Sequence, residues 1–240
     1  RIGISEQDII GVAAGLATSG KIPFVCGFSM FVTGRGWEQI TNSVARPRLN
    51  VKIVGTHSGL SPHADGESHQ CLWDMALMRI LPNMTVVVPA DAQETVEAVL
   101  ALADTKGPAY LRLSRGSTPI VYEEEGDFAL GQGRVLREGT DACVVVNGIM
   151  VHMALEAADE LTKTGISVKV LDMHTVKPLD EDLLVEAAKE TGAMVTGEEH
   201  SILGGLGSAV AESLSEVYPV PIKKIGVADR FGQSSRQYPE

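Results

Sequence analysis

The chain has 240 residues, 44% of them hydrophobic and 25 of them glycine, with a formal charge of −11 and a pI near 5.0. An acidic surface attracts neither nucleic acid nor anionic membrane, and no run approaches the roughly 18 apolar residues of a membrane span, so small-molecule chemistry is the expectation. Cys26, Cys71 and Cys143 are odd in number and lie in apolar or strand-like surroundings, which argues against a disulfide framework or a cysteine zinc site and predicts a cytoplasmic location.

The chain opens on Arg1-Ile2-Gly3-Ile4-Ser5-Glu6 and passes straight into a helical pattern over Gln7 to Ser19. No strand precedes it, as though a domain were entered partway. Glu6 has two readings: Ser5 and Glu6 can form a capping pair at a helix start, or Glu6 can point into a cleft and bond a ligand nitrogen. A strand predicted over Ile22 to Cys26 leads to Phe28 and Phe31, two of only five phenylalanines. They are either core packing or a stacking platform for a flat heteroaromatic ring at the carboxyl end of a parallel strand. A helix is predicted over Arg35 to Ala45 and a strand over Val51 to Gly55.

The next stretch, Thr56 to Gln70, holds His57, His63 and His69 with Asp65 and Glu67 on a connection of fifteen residues. Loops of that length are usually functional or disordered. Gly59, Pro62 and Gly66 supply turn chemistry that argues for order. Histidine and carboxylate can ligate metal, but this spacing matches no common zinc pattern. Hydrogen bonding and proton transfer by histidines near neutral pKa fit better.

Strands at Thr85 to Pro89 and Ala109 to Leu113 bracket a helix at Ala92 to Asp104 capped by Asp91. Arg115 follows, where a guanidinium can fork onto phosphate or carboxylate or simply sit in solvent. Periodicity disappears in the acidic, glycine-bearing stretch after Ile120, which divides the chain into residues 1–122, a linker at 123–133, and residues 134–240. Strands at Ala142 to Asn147, Ser167 to Asp172, Ala193 to Glu198 and Pro221 to Val227 alternate with helices at Met150 to Lys163, Glu181 to Thr191 and Gly207 to Tyr218. This alternation predicts two three-layer α/β/α domains with mainly parallel sheets. The glycine-rich loop Glu198 to Gly207 lacks a phosphate-loop or dinucleotide signature and reads as tight helix packing. The chain closes soon after a strand, so a C-terminal helix is expected to be missing and both ends to be trimmed.

GISEQ, FSMF, THSGLSPHADGESHQ, RILPNMTVVVPADAQE and LRLSRG, in this order, resemble the pyrimidine-binding domain of the transketolase family of thiamine-diphosphate enzymes. VLDMHTVKPLD and GEEHSILGGLGSAVAE are similar to that family's C-terminal domain. The resemblance implies that Glu6 bonds the aminopyrimidine ring nitrogen and lets the cofactor act as its own base. It implies that Phe31, with Phe28 beside it, stacks on the pyrimidine. His57 and His69 are implied to bond sugar oxygens and assist proton transfer, Asp65 to read a sugar hydroxyl, and Arg115 to hold phosphate at the channel mouth.

Ser58, Ala64 and Glu67 depart from the residues that transketolases commonly carry there, as do Thr33 and Gly34, which stand where a third aromatic is usual. These departures bear on substrate more than on cofactor. The family's Gly-Asp-Gly segment, which holds the diphosphate through Mg2+ or Ca2+, is absent from this chain. The resemblance therefore implies the C-terminal polypeptide of a split transketolase, active only with an N-terminal subunit that carries that segment, in a dimer or heterotetramer acting on sugar phosphates. The β subunit of 2-oxo-acid dehydrogenases and a deoxyxylulose-phosphate synthase-like enzyme are the alternatives within the superfamily. A non-catalytic assembly subunit is the alternative outside it.

Overall fold

The computed structural model describes residues 2–123, 126 and 128–236. Residue 1, linker positions 124, 125 and 127, and the closing residues 237–240 lie outside the described residues. In chain order the first half forms α1 (Glu6–Thr18), β1 (Phe24–Phe28), α2 (Ser29–Gly34), α3 (Trp37–Gln39) running into a π-helical turn (Ile40–Ala45), β2 (Lys52–Thr56), α4 (Asp74–Arg79), β3 (Thr85–Val87), α5 (Ala92–Asp104) and β4 (Ala109–Arg112). The second half forms β5 (Arg134–Arg137), β6 (Ala142–Val146), α6 (Met150–Lys163), β7 (Val168–Asp172), β8 (Thr175–Lys177), α7 (Glu181–Thr191), β9 (Met194–Ser201), α8 (Leu206–Val217) and β10 (Ile222–Val227).

Two five-stranded sheets result, ordered β1-β2-β4-β3-β8 and β10-β9-β6-β7-β5. All neighbours are parallel except β8 on β3 and β5 on β7, so the mainly parallel α/β class expected from the alternating pattern is observed. β2 is buried along Lys52, Ile53, Val54 and Gly55, as a central strand covered on both faces must be. The Lys52 ammonium is accommodated there by donating to the carbonyls of Thr105 at 2.8 Å and Gly107 at 2.7 Å. Gly55 is needed because a Cβ would overlap the Tyr110 ring laid across it.

Helices α5, α6 and α7 match the sequence expectation at both ends. Asp91 accepts the Glu94 N–H at 2.8 Å and Asp180 accepts the Leu183 N–H at 3.1 Å, each satisfying an orphan donor of the first turn. Elsewhere the boundaries move. β1 starts two residues later than expected because Pro23 has no N–H to give the ladder, and its carbonyl instead accepts from Lys52. The helix expected to start at Arg35 begins at Ser29 and is broken near Gly36, where a Cβ would press on the Val32 carbonyl and the Ile10 side chain. Ser5 does not cap α1 through its side chain; its hydroxyl donates to the Asp8 carboxylate instead.

The two halves share one core. β8, from beyond the linker, pairs with β3 at Val86↔Lys177 and Val87↔Thr175, and Met173 and Val176 join Met84, Val86 and Val88 in one apolar cluster. A buried polar knot lies beside this seam. Glu94 of α5 and Asp172 of β7 are both fully buried and close enough to influence each other, and the raised pKa of both favours a proton shared between them. Tyr122 donates to Asp172 Oδ2 at 2.8 Å, the Ala90 N–H donates to Glu94 Oε2 at 2.7 Å, and Arg134 Nη1 stands 3.4 Å from Glu94 Oε1. Burial raises the pKa of both carboxyls, and for Glu94 the Asp172 charge adds to it, outweighing the pull of Arg134.

A folded pKa above the unfolded one means that the native state binds more protons, so stability is full at acid pH and falls as pH rises through the folded values. Thermal unfolding should therefore lose stability from about pH 5 to about pH 9, by ~1.4 kcal/mol per unit of raised pKa. Glu94→Gln, whose amide can donate to Asp172 at any pH, should flatten that slope; an unchanged slope by calorimetry would remove the shared proton from the account.

Candidate active site

β1, β2 and β4 run parallel and end at Phe28, Thr56 and Arg112. Ligand sites of such sheets lie beyond the carboxyl ends of the strands, and the expected residues gather there. A cleft of about 370 Å³ is lined by Glu6, Cys26, Gly27, Phe28, Phe31 and His69, among others. Glu6 enters it from the first turn of α1, and Phe28 and Phe31 from the end of β1 and the start of α2. Their rings are stacked with centroids 6.3 Å apart. The His69 ring meets Phe31 edge-on at 5.3 Å and Phe28 at 6.1 Å.

A second cleft of about 520 Å³ adjoins, lined by His57, Ser61, His63 and Arg115 with Gly116, Ser117 and Ile149. His57 joins the two, because its ring stacks on Phe28 at 4.0 Å. Its backbone is left-handed, with φ 56°, an uncommon conformation for a residue with a Cβ. The following Ser58 N–H donates to the Leu113 carbonyl at 3.1 Å, fixing the turn to the end of β4. Asp65 pairs with Arg115 at 3.3 Å. Of the residues singled out in the sequence, Glu6, Phe28, Phe31 and His69 line the first cleft and His57 and Arg115 the second, while Asp65 reaches the second through its ion pair with Arg115.

Burial lowers the His57 pKa, Asp65 opposes this by raising it, and Arg115 and His69 lower it again. The net shift favours the neutral ring, which can both donate and accept near neutral pH. His63 stands somewhat apart: its Nδ1 lies 3.1 Å from the Ser235 carbonyl.

Two arginines at the site have no counterpart in the sequence reading. Arg35 places its guanidinium 4.5 Å from the Phe31 ring centre and donates to Glu6 at 3.2 Å. Its position four residues after Phe31 on a helical pattern was the available signal. Beneath the loop, the buried Arg112 donates from Nε to Asp74 at 2.8 Å and from Nη2 to the carbonyls of Glu199 at 3.0 Å and Cys71 at 3.5 Å. Tyr110 adds a donor to Asp74 at 2.7 Å. Burial would raise the Asp74 pKa, but the Arg112 charge, with His200 and these hydrogen bonds, holds it below the usual value. The Glu198–Gly207 loop does what its glycines imply: Glu198 accepts the N–H groups of Leu206 and Gly207 at 2.7 and 2.9 Å, capping α8 against β9.

One carboxylate facing two aromatic rings across an apolar cleft suits a flat nitrogen heterocycle with one basic ring nitrogen. A metal-bound diphosphate is a different matter. Among the described residues no three His, Cys, Asp or Glu side chains are placed to hold a metal ion. No helix among them is long and apolar enough to cross a membrane.

Residues 1–120 match the family described as "Transketolase, pyrimidine binding domain", and residues 131–238 match "Transketolase, C-terminal domain". The chain is 45% identical to the 6-deoxy-6-sulfo-D-fructose transketolase subunit of a Clostridium species, over 97% of this chain and 72% of that one. It is 43% identical to an apulose-4-phosphate transketolase subunit of Phocaeicola vulgatus, over 95% and 73%. A solved structure described as a split gene transketolase, inactive beta4 tetramer, superposes with a TM-score of 0.92 at 53% identity, over 97% of this chain and 76% of that one.

The His57 environment has a direct check. Its ring should titrate below 6.5 by NMR. Removing the Asp65 charge as Asp65→Asn should lower that midpoint further, and Arg115→Ala should raise it; shifts in the opposite directions would show that these charges do not reach the ring.

Proposed function

Because this chain belongs to the transketolase family, which depends on thiamine diphosphate, we propose that it is the C-terminal subunit of a split transketolase. It transfers a two-carbon ketol unit from a ketose phosphate to an aldose phosphate, with residues 1–122 as pyrimidine-binding domain and 134–240 as C-terminal domain. The observation that carries this reading is the His57–Phe28 ring stack at 4.0 Å, which sets a lining residue of one cleft against a lining residue of the other. A cofactor ring held by Glu6, Phe28 and Phe31 would lie next to a sugar chain held by His57, His69, Asp65 and Arg115.

Bound thiamine diphosphate supplies the carbon nucleophile that carries the two-carbon unit. This chain's residues do the rest. The Glu6 carboxyl, partly buried beside Arg35, hydrogen-bonds the ring nitrogen of the pyrimidine. Phe31 supports the ring's flat face, with the Arg35 guanidinium 4.5 Å from the Phe31 ring centre. His57 and His69 donate to sugar oxygens and pass protons as carbonyl and hydroxyl interconvert. Asp65 accepts from a sugar hydroxyl, and Arg115 meets the terminal phosphate or another anionic tail.

The diphosphate and its Mg2+ or Ca2+ fall to a partner subunit with a Gly-Asp-Gly segment. A split-gene relative whose own tetramer is described as inactive supports this division of labour. Self-association into a dimer or heterotetramer belongs to the same reading, and three free cysteines are in keeping with a cytoplasmic setting. Relatives named for a sulfo-sugar and for apulose 4-phosphate support a ketose other than the common ones, with Ser58, Ala64 and Glu67 in the loop as the residues that select it.

Mixed with a Gly-Asp-Gly-bearing partner, thiamine diphosphate and magnesium, the chain should transfer ketol units from at least one ketose phosphate and show no transfer alone. A complex that binds cofactor yet transfers from none would end the assignment. Glu6→Gln should leave the fold intact and slow exchange of the thiazolium proton by about 100-fold or more, with near-normal exchange by NMR refuting the role.

A further inference from the structure

The histidine-rich loop closes on itself: Ser58 and Cys71 form a parallel bridge, and the Gly59 N–H donates to the Cys71 carbonyl at 2.9 Å. Closure fixes the ends but leaves the span that carries Asp65 and His69 to be held from elsewhere. Besides Arg115, which pairs with Asp65 at 3.3 Å and donates its N–H to Ser61 Oγ at 2.9 Å, the contacts that hold it come from the far end of the chain. Glu199, 7% exposed on β9, accepts the Leu60 N–H on Oε1 at 2.8 Å. Gly59, at φ +66°, lies so close to the Glu199 side chain that a Cβ would overlap its carboxyl.

The segment 231–235, beyond β10, straps the other side. Gln70, 2% exposed, donates from Nε2 to the Gln233 carbonyl at 3.1 Å. The Ser235 N–H donates to the His63 carbonyl at 3.0 Å. Close to the loop's exit, the Ser201 N–H donates to the Leu72 carbonyl at 2.8 Å. Glu199 lines neither cleft of the site.

We propose that Glu199, seconded by the 231–235 strap, is a positioning residue: it fixes the loop so that Asp65 and His69 face Arg115 and Phe28, and through the loop it sets sugar-phosphate affinity without touching the sugar. The affinity half of this inference rests on the reading of the loop as the sugar-contacting wall. The loop-fixing half stands on the contacts alone. Leu60 requires an acceptor at that point, so Glu199→Gln retains the bond and Glu199→Ala removes it.

Hydrogen exchange on the full chain separates the two halves. Glu199→Ala should speed exchange across residues 58–71 by about tenfold, the order expected for one lost hydrogen bond, with α1 and α5 unchanged and Glu199→Gln restoring protection. In the assembled complex the same variant should raise the KM for the ketose phosphate about tenfold while the Kd for thiamine diphosphate stays put, again with rescue by glutamine. Unchanged exchange in the loop, or faster exchange throughout the chain, would overturn the positioning role. A loosened loop with an unchanged KM would overturn its link to the sugar. A loosened loop in a parent complex that turns over no ketose phosphate would overturn the sugar reading and leave the loop-fixing role supported.

Discussion

One buried guanidinium holds the site together. Arg112 sits at the end of β4, and its bonds run to the carboxylate that opens α4, to the exit of the histidine-rich loop and to β9 in the other half of the chain. A charge so deeply buried is tolerated only when its donors are matched, and removing one partner of such a pair is far costlier than the pair is stabilising. Asp74 supplies the countercharge, and Tyr110 turns the same carboxylate toward the sheet. Tyr110 needs Gly55 beneath its ring. Strand, helix, loop and the second half of the chain therefore meet at a point where no single contact can be altered alone, and the site is built around it.

Five carboxyl groups show how far environment decides what a side chain does. Asp74 is held ionised by Arg112. Glu94 and Asp172, equally buried, lie close together, and the Arg134 guanidinium does not overcome their desolvation, so the pKa of both is raised. Glu198 is spent on two backbone N–H groups at the start of α8, and burial still raises its pKa. Glu6, at the lip of a cleft, differs from all three settings: its neighbours are an exposed guanidinium and open space for a ligand.

Much of this was legible in the amino-acid order. Helices α5, α6 and α7 carry long amphipathic periods, with Asp91 and Asp180 capping two of them, and these fix their limits. α2 and α4, six residues each, and β5 and β8, of four and three residues, are too short for any period to be recognised. The candidate residues from Glu6 to Arg115 could be named because side-chain type and order survive in a one-dimensional reading, and the structure places them near the carboxyl ends of β1, β2 and β4. Arg35 could not be named so, since its link to Glu6 spans 29 positions. Glu199 was further from reach, its bond to Leu60 joining residues 139 apart; a local reading sees only a glutamate in a glycine-rich stretch.

The strand β8 carries a consequence for how the chain divides. A sheet edge with unpaired N–H and C=O groups is a template for unwanted pairing, and the first sheet covers its β3 edge with residues 175–177, borrowed from across the linker. The linker therefore separates the two family matches along the chain but does not separate the strands of the first sheet. A division after residue 122 would strip one half of its border strand and leave the other with a strand that has lost its partner. The first sheet is complete only where residues 24 to 177 come together.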